Sequence, residues 1–232
     1  MGFVLTPPPV SSLAVAETTD RFPIRRIFCV GRNYEAHARE MGRDPTREPP
    51  FFFTKPADAV VDNNSVIPYP PETKNYHYEM ELVVVIGKDG FNIPEDKALE
   101  HVWGYAAGLD MTRRDLQLAA REQGRPWDWG KSFDKSAPIA PIVPASKIGH
   151  PGKGRIYLTV NGAVKQDADI ADLIWSVPEI VSILSRSMRL KAGDVIMTGT
   201  PAGVGAVVVG DKLEGGVDGI GTISVTIGAP EA

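Results

Sequence analysis

The sequence predicts a β-rich α+β fold made of many short strands, a few short helices and one principal domain. Three observations carry that prediction. Short β-branched and apolar runs recur along the chain and seldom continue far enough to make a long helix. Glycine (23) and proline (20) interrupt the chain often, ending strands and supplying turns. No internal repeat and no linker separates two large units, and 232 residues suit one domain with at most a small extension.

The elements follow in chain order. Residues 1–20 contain Pro7-Pro8-Pro9 and read as an extended N-terminal arm, leaving 21–232 as the domain proper. Arg25–Val30 is a strand and Gly31-Arg32-Asn33 the turn after it. Tyr34–Met41 has helical character, with Gly42 placed to end it. Phe51–Thr54 and Val60–Val61 are short strands, followed by a proline-rich loop at 68–71. Tyr76–Ile86 is the most apolar strand, and Leu99–Asp110 a second buried strand ending on its aspartate. Thr112 or Asp115 starts a helix that runs toward Gln123 and stops at Gly124. Ile156–Val160, Asn161-Gly162 and Ala163-Val164 spell a hairpin, because Asn-Gly suits a tight turn with positive φ. Pro178 opens a helix through about Arg186, since proline is tolerated in the first helical turn. Asp194–Thr198 and Gly221–Ile227 close the chain as strands.

Composition excludes several classes of function. With 43% hydrophobic and 23% charged residues the chain is an ordinary globule. A net charge of −4 offers no broad basic surface for nucleic acid and no polybasic patch for a membrane. No apolar run reaches the roughly 20 residues of a membrane helix, and the N-terminus lacks the basic start of a signal peptide. A cytoplasmic protein is expected. The single cysteine, Cys29, lies in the apolar run Ile27–Val30, so it reads as core rather than nucleophile and no intrachain disulfide exists.

The chemistry centres on Glu79 and Glu81. Side chains alternate along a strand, so these two share a face with Val83 and Val85, about 7 Å apart by strand rise. Buried like charges repel, so one must be protonated or a cation must lie between them. Two solvated acids at a strand entrance are the alternative. Asp110 ends the neighbouring strand, and three carboxylates without a histidine pair or thiolate favour Mg²⁺ or Mn²⁺ over Zn²⁺. Ca²⁺ can take the same oxygen set in a crystal. His77 shares the face of Glu79 but sits at the strand entrance. Lys131, in the aromatic stretch Trp127–Phe133, can bridge the carboxylates or bond a substrate; a helix cap and a surface stem are the plain readings of Asp110 and Lys131. His37 and Glu40 stand three apart on the first helix, where a carboxylate raises imidazole basicity and suits a general base acting on water. Thr198–Gly205 is a glycine-rich loop after a strand; it lacks the Gly-Lys-Ser/Thr ending of a phosphate loop.

Taken in order, Gly31–Tyr34 with His37 and Glu40, Phe53–Pro56, Glu79–Leu82, Leu109–Gln117, Lys131–Phe133, Val160–Gly162 and Thr198–Gly205 resemble the fumarylacetoacetate hydrolase family over roughly residues 25–227. The resemblance implies a mixed β-sandwich or roll, usually a homodimer, with a divalent ion on Glu79, Glu81 and Asp110. It implies Lys131 as the site lysine and His37 with Glu40 as the water-activating pair. It extends to Arg32, Lys55, Arg114, Gln117 and Thr200 as substrate contacts. Within the family, Pro49–Val61, Pro70–Asn75 and Gly124–Trp129 look most like the bacterial enzymes that split fumarylpyruvate in gentisate degradation, a pattern shared with acylpyruvases. The implied reaction is metal-dependent hydrolysis of the carbon–carbon bond of a 3-acylpyruvate, giving fumarate and pyruvate from fumarylpyruvate. The far carboxylate of that dicarboxylate substrate then needs a cation, for which Arg32, Arg114 and Arg125 are candidates. The same metal site would serve oxaloacetate decarboxylation, or isomerisation or decarboxylation of a homoprotocatechuate-pathway diacid. A non-catalytic, metal-stabilised binding module is the reading from another class.

Overall fold

The computed structural model describes residues 2–40 and 48–231, with the side chains of residues 38–40 outside the description. In chain order the strands are β1 (Ser12–Ala14), β2 (Arg21–Pro23), β3 (Arg26–Gly31), β4 (Phe51–Lys55), β5 (Val60–Asp62), β6 (Ser65–Pro68), β7 (Tyr76–Tyr78), β8 (Met80–Ile86), β9 (Val102–Leu109), β10 (Thr112–Arg113), β11 (Ala137–Ile139), β12 (Val143–Pro144), β13 (Arg155–Val160), β14 (Ala163–Asp169), β15 (Asp194–Met197), β16 (Gly205–Ala206), β17 (Lys212–Val217) and β18 (Gly221–Gly228). The helices are α1 (Glu35–Glu40), α2 (Arg114–Glu122), α3 (Asp128–Lys131), α4 (Ala145–Ile148) and α5 (Val177–Ser187).

Two sheets make the body. One runs β4-β3-β15-β8-β9-β11-β5 with β12 added on β9; the other runs β14-β13-β17-β18-β6. Strand β8 is buried along its whole length because it is covered on both faces. Met80, Leu82, Val84 and Ile86 join the core shared with Ile156, Leu158 and Leu213 of the second sheet. Val83 and Val85 face the other way, onto Ile27, Cys29, Val195 and Leu13. A fully buried side chain of this kind contributes about 1.5–3 kcal/mol, so β8 is an anchor that fixes the position of whatever precedes it. Cys29 is fully buried there, and burial pushes its thiol well up, which leaves it inert.

The Asn161-Gly162 hairpin forms as expected between β13 and β14, both turn residues having positive φ. Several expectations shift. The expected arm begins to dock before residue 21: Ser12–Ala14 pairs with Arg21–Pro23 and Leu13 is fully buried, while residues 2–10 stay exposed. The strand expected from Leu99 starts at Val102, since Glu95–His101 forms a 3₁₀ turn behind Pro94. Thr112 lies in β10 rather than opening a helix, and α2 starts at Arg114. Strand β17 carries Gly215 and Gly216, which hid it from a propensity reading. A side chain at Gly215 would come within 2.5 Å of Tyr157 O and 3.1 Å of Met80 Sδ, so glycine there lets the two sheets approach. The residues after Glu40, including the expected stop at Gly42, lie outside the described residues. Among the described residues, no helix is long and apolar enough to cross a membrane.

Candidate metal centre and active site

Strand register brings the acids together. Antiparallel pairing sets Met80 opposite Leu109 and Glu81 opposite Gly108, and one step further Glu79 faces Asp110. The Asp110 N–H donates to Glu79 O at 2.8 Å, closing that step. Residues directly opposite share a face, so Glu79 and Asp110 project together, with Glu81 two positions along on the same side. One ligand oxygen from each lies within 4.8 Å of the others, and all three residues are buried.

The cations around the acids are placed unevenly. Lys131 Nζ, at the end of α3 and itself buried, donates to Glu79 Oε2, Asp110 Oδ2 and Thr112 Oγ1, each at 2.7 Å. Arg114 donates to Glu79 Oε1 and to Gln117 Oε1, and its Nε reaches His77 Nδ1 at 3.4 Å. Burial pushes the Glu79 carboxyl up, but Lys131, Arg114 and His37 together outweigh it and hold the group well below the usual range. Lys131 shows the converse: burial lowers it, and Asp110 and Glu79 more than restore it, so the ammonium is held charged. Glu81 has no ion pair among the described residues; the Gly199 N–H donates to its Oε2 at 2.8 Å. Burial, then Asp110 and Glu79, push its carboxyl well up.

That imbalance is the test of fit for a cation. Asp110 Oδ1 lies 2.8 Å from Lys55 Nζ, yet at an angle that makes no hydrogen bond, and it is buried without one. An under-served aspartate oxygen, a glutamate raised by burial and by its like-charged neighbours, and an all-oxygen donor set suit a hard divalent ion. Glu79, Glu81 and Asp110 are the residues that would hold it.

The same cleft, with about 480 Å³ of empty space including its open mouth, is lined by Arg32, His37, Phe53, Glu79, Glu81, Asp110, Arg114, Gln117, Arg121, Trp127, Lys131 and Thr200. His37 is brought in by α1, which follows β3 through Arg32 (φ 59°) and Asn33. Asn33 is fully buried and staples that turn to the loop opposite. Its Nδ2 donates to Thr198 O (2.8 Å) and Trp175 O (2.9 Å), and its Oδ1 accepts from Trp175 N–H (2.7 Å). Gly199, at φ 100°, has a backbone that other residues rarely adopt and lies where a Cβ would meet that of Asn33 at 2.8 Å. This close approach aims its N–H at Glu81.

Of the residues expected at the site, the structure brings together the three acids, Lys131, His37, Arg32, Arg114, Gln117 and Thr200. The Glu40 side chain lies outside the described residues, so the pair with His37 is not seen. Lys55, expected as a substrate contact, is displaced from the cleft: its ammonium is buried behind Asp110 and donates to Met111 O (3.1 Å) and Lys131 O. With three neighbours there it supports Asp110 from behind. Arg125 sits exposed beyond α2 and does not line the cleft. Sequence reasoning missed Asn33 as a staple, Thr112 as an acceptor for Lys131, and Arg121. The spacing of Arg114, Gln117 and Arg121 at i, i+3 and i+7 on one helix face was the available signal for the last.

The family described as fumarylacetoacetate (FAA) hydrolase C-terminal matches residues 26–228. A fumarylpyruvate hydrolase of a Ralstonia species is 52% identical over 193 residues, covering 82% of this chain and 100% of that protein. The human mitochondrial oxaloacetate tautomerase FAHD1 is 42% identical over 207 residues, 89% of this chain and 93% of that one. Among solved structures, fumarylpyruvate hydrolase from Pseudomonas aeruginosa in complex with Mn²⁺ and pyruvate superposes with a TM-score of 0.96 at 55% identity, covering 98% of this chain and 100% of that one.

Proposed function

Because the chain belongs to the fumarylacetoacetate hydrolase family, we propose that it is an enzyme that hydrolyses the carbon–carbon bond of a 3-acylpyruvate, converting fumarylpyruvate and water to fumarate and pyruvate. The observation that carries this reading is the buried Glu79, Glu81 and Asp110 cluster sharing one cleft with Lys131 and His37. Support for the substrate comes from fumarylpyruvate hydrolases more than 50% identical over most of the chain.

A divalent ion on the three carboxylates, Mn²⁺ or Mg²⁺, supplies Lewis acidity and a second positive charge for the pyruvoyl end of the substrate. His37 takes a proton from water, with Glu40 in the supporting role. The water oxygen bonds to the distal acyl carbon, and collapse of that adduct breaks the bond to the pyruvoyl methylene. The released electron pair stays on pyruvate as its enolate, and a proton returned to that carbon completes the ketone. Lys131, held charged and aimed between Glu79 and Asp110, stabilises the enolate oxygen. Thr200 lines the same cleft.

The chain works as a homodimer in the cytoplasm, in breakdown of an aromatic ring through gentisate. This is supported by the motifs shared with gentisate-pathway enzymes.

The test is loss of fumarylpyruvate absorbance by purified protein with Mn²⁺ or Mg²⁺, and again after chelation, with both products assayed. Equal, metal-dependent amounts of fumarate and pyruvate are expected. His37→Ala should lower hydrolysis by about 10²–10⁴-fold. A second reading is favoured by the 42% identity to oxaloacetate tautomerases. Interconverting enol and keto oxaloacetate needs the same enolate stabilisation but no attacking water. No hydrolysis by the wild type, with accelerated oxaloacetate tautomerisation in a parallel assay, would replace the first reading with the second.

A further inference from the structure

We infer that Arg121, against the wall formed by Phe53 and Trp127, is the subsite that binds the far carboxylate of a flat, conjugated dicarboxylate substrate. The inference deepens the acylpyruvate reading and rests on it.

Three arginines could reach the acyl end, and their surroundings separate them. Arg114 is buried, and its guanidinium is spent on Glu79 and Gln117, so its charge already serves the metal-side carboxylate. Arg32 lines the cleft, but its guanidinium lies 5.3 Å from the Phe51 ring centroid and the residue has further interactions of its own. Arg121 lines the cleft half-buried, and its guanidinium makes no ion pair or side-chain hydrogen bond among the described residues. A half-desolvated cation in that position is a ready partner for a carboxylate.

Its place on α2 fits the length of the ligand. Arg114 and Gln117 occupy the inner turns, next to the acids, and Arg121 stands two turns further out on the same face, about 10 Å along the helix axis. Helix α2 therefore works as a ruler between the reacting end of the cleft and its mouth. Aromatic rings face the same cleft alongside Gln117, Arg32 and Thr200. Phe53 and Trp127 both line it, with centroids 5.8 Å apart, and Phe51 packs edge-on against Trp127 at 5.0 Å. Such a wall favours a planar enoyl chain with its charge at the end. A plain structural alternative exists: a cation in the last turn of a helix also complements the helix dipole.

The experiment compares fumarylpyruvate with acetylpyruvate, which keeps the reacting end and lacks the far carboxylate. The wild type, Arg121→Ala, Arg121→Lys and Arg32→Ala are assayed on both. The kcat/KM ratio of fumarylpyruvate to acetylpyruvate should fall about 10–100-fold in Arg121→Ala, mainly through KM, and recover in part in Arg121→Lys. Equal losses on both substrates, or a ratio that moves only in Arg32→Ala, would overturn the assignment. If the wild type hydrolyses neither substrate, the acylpyruvate reading fails, and calorimetric titration with fumarate and crotonate still decides the subsite. A wild-type preference for fumarate that disappears in Arg121→Ala upholds it, and no such preference sinks it.

Discussion

The two ends of the cleft are built differently. At the inner end, Glu79, Glu81 and Asp110 come from two paired strands of a sheet buried on both faces, and their separation is set by register. Lys131, Arg114 and Lys55 lock them with charged contacts that water does not reach. At the outer end, His37 rides on a helix of six residues entered through an arginine at positive φ, and Arg121 stands half-buried on the last turn of α2. The inner end is preorganised for charge and the outer end is left to meet the substrate. Enolate stabilisation should therefore depend on the strand-borne acids, and water activation and substrate choice on the helices and loops.

Asp110→Asn should produce the largest effect. It removes one ligand charge and leaves Lys55 and Lys131 facing each other across a neutral amide. We expect a fall in kcat/KM of at least about 10³-fold, with Mn²⁺ binding lost by electron paramagnetic resonance. Turnover within tenfold of wild type would show that the strand-borne acids do not set the chemistry, and the comparison would break there.

Lys131→Met sharpens the same point through stability. Breaking a buried pair by removing one partner costs about 3–5 kcal/mol because the other charge is stranded. Here Glu79 keeps Arg114 and Asp110 keeps Lys55, so the loss should fall at or below the low end of that range. The variant should unfold at lower denaturant without metal and regain much of the loss when Mg²⁺ is added. Its hydrolytic rate should stay down by about 10²–10³-fold even with metal present. Recovery of both stability and rate on adding metal would mean that Lys131 only balances charge.

How much of this was legible in the sequence follows the same division. Glu79, Glu81 and Asp110 were readable because an alternating strand puts acids on a face that is otherwise Val83 and Val85. Such a conflict between burial and charge asks for a cation. Lys131 was readable from the aromatic residues around it. The inward reach of Arg121 was not, because a helix face with two other polar residues looks solvent-facing until the cleft is seen beneath it. Lys55, which the family resemblance offered as a substrate contact, is placed otherwise for a physical reason: its amine is held by Asp110 and two backbone carbonyls. Strand β17 escaped because its glycines, which the close approach of the sheets requires, carry no pattern of their own.

Asn33→Ala probes the joint between the two ends. Its amide links the turn before α1 to Thr198 and Trp175, and the substitution leaves two carbonyls and one N–H without those partners. About 3 kcal/mol of stability should be lost, and kcat should drop about 10–100-fold as Gly199 loosens from Glu81. A stability loss with unchanged kcat, read by parallel denaturation and kinetics, would mean that the outer turn can move without disturbing the acids.

The smallest effect belongs to Glu179→Ala, one turn into α5. Its Oε2 accepts from the Ser176 N–H at 2.9 Å and from Ser176 Oγ at 2.8 Å, which stabilises the start of the helix. Losing such a cap contributes about 1 kcal/mol, or roughly 2–4 °C in Tm for a domain of this size. Ser176 follows Trp175, the residue that Asn33 grips, so the cap lies one residue from the staple and remote from the acids. If the sheet alone sets the inner geometry, Tm should fall by that amount while kcat/KM stays within twofold. A tenfold loss of activity at the same small cost in stability would place the start of α5 among the supports of the site. The rigid part of the molecule would then extend from the strands through Trp175 and Asn33 to Gly199.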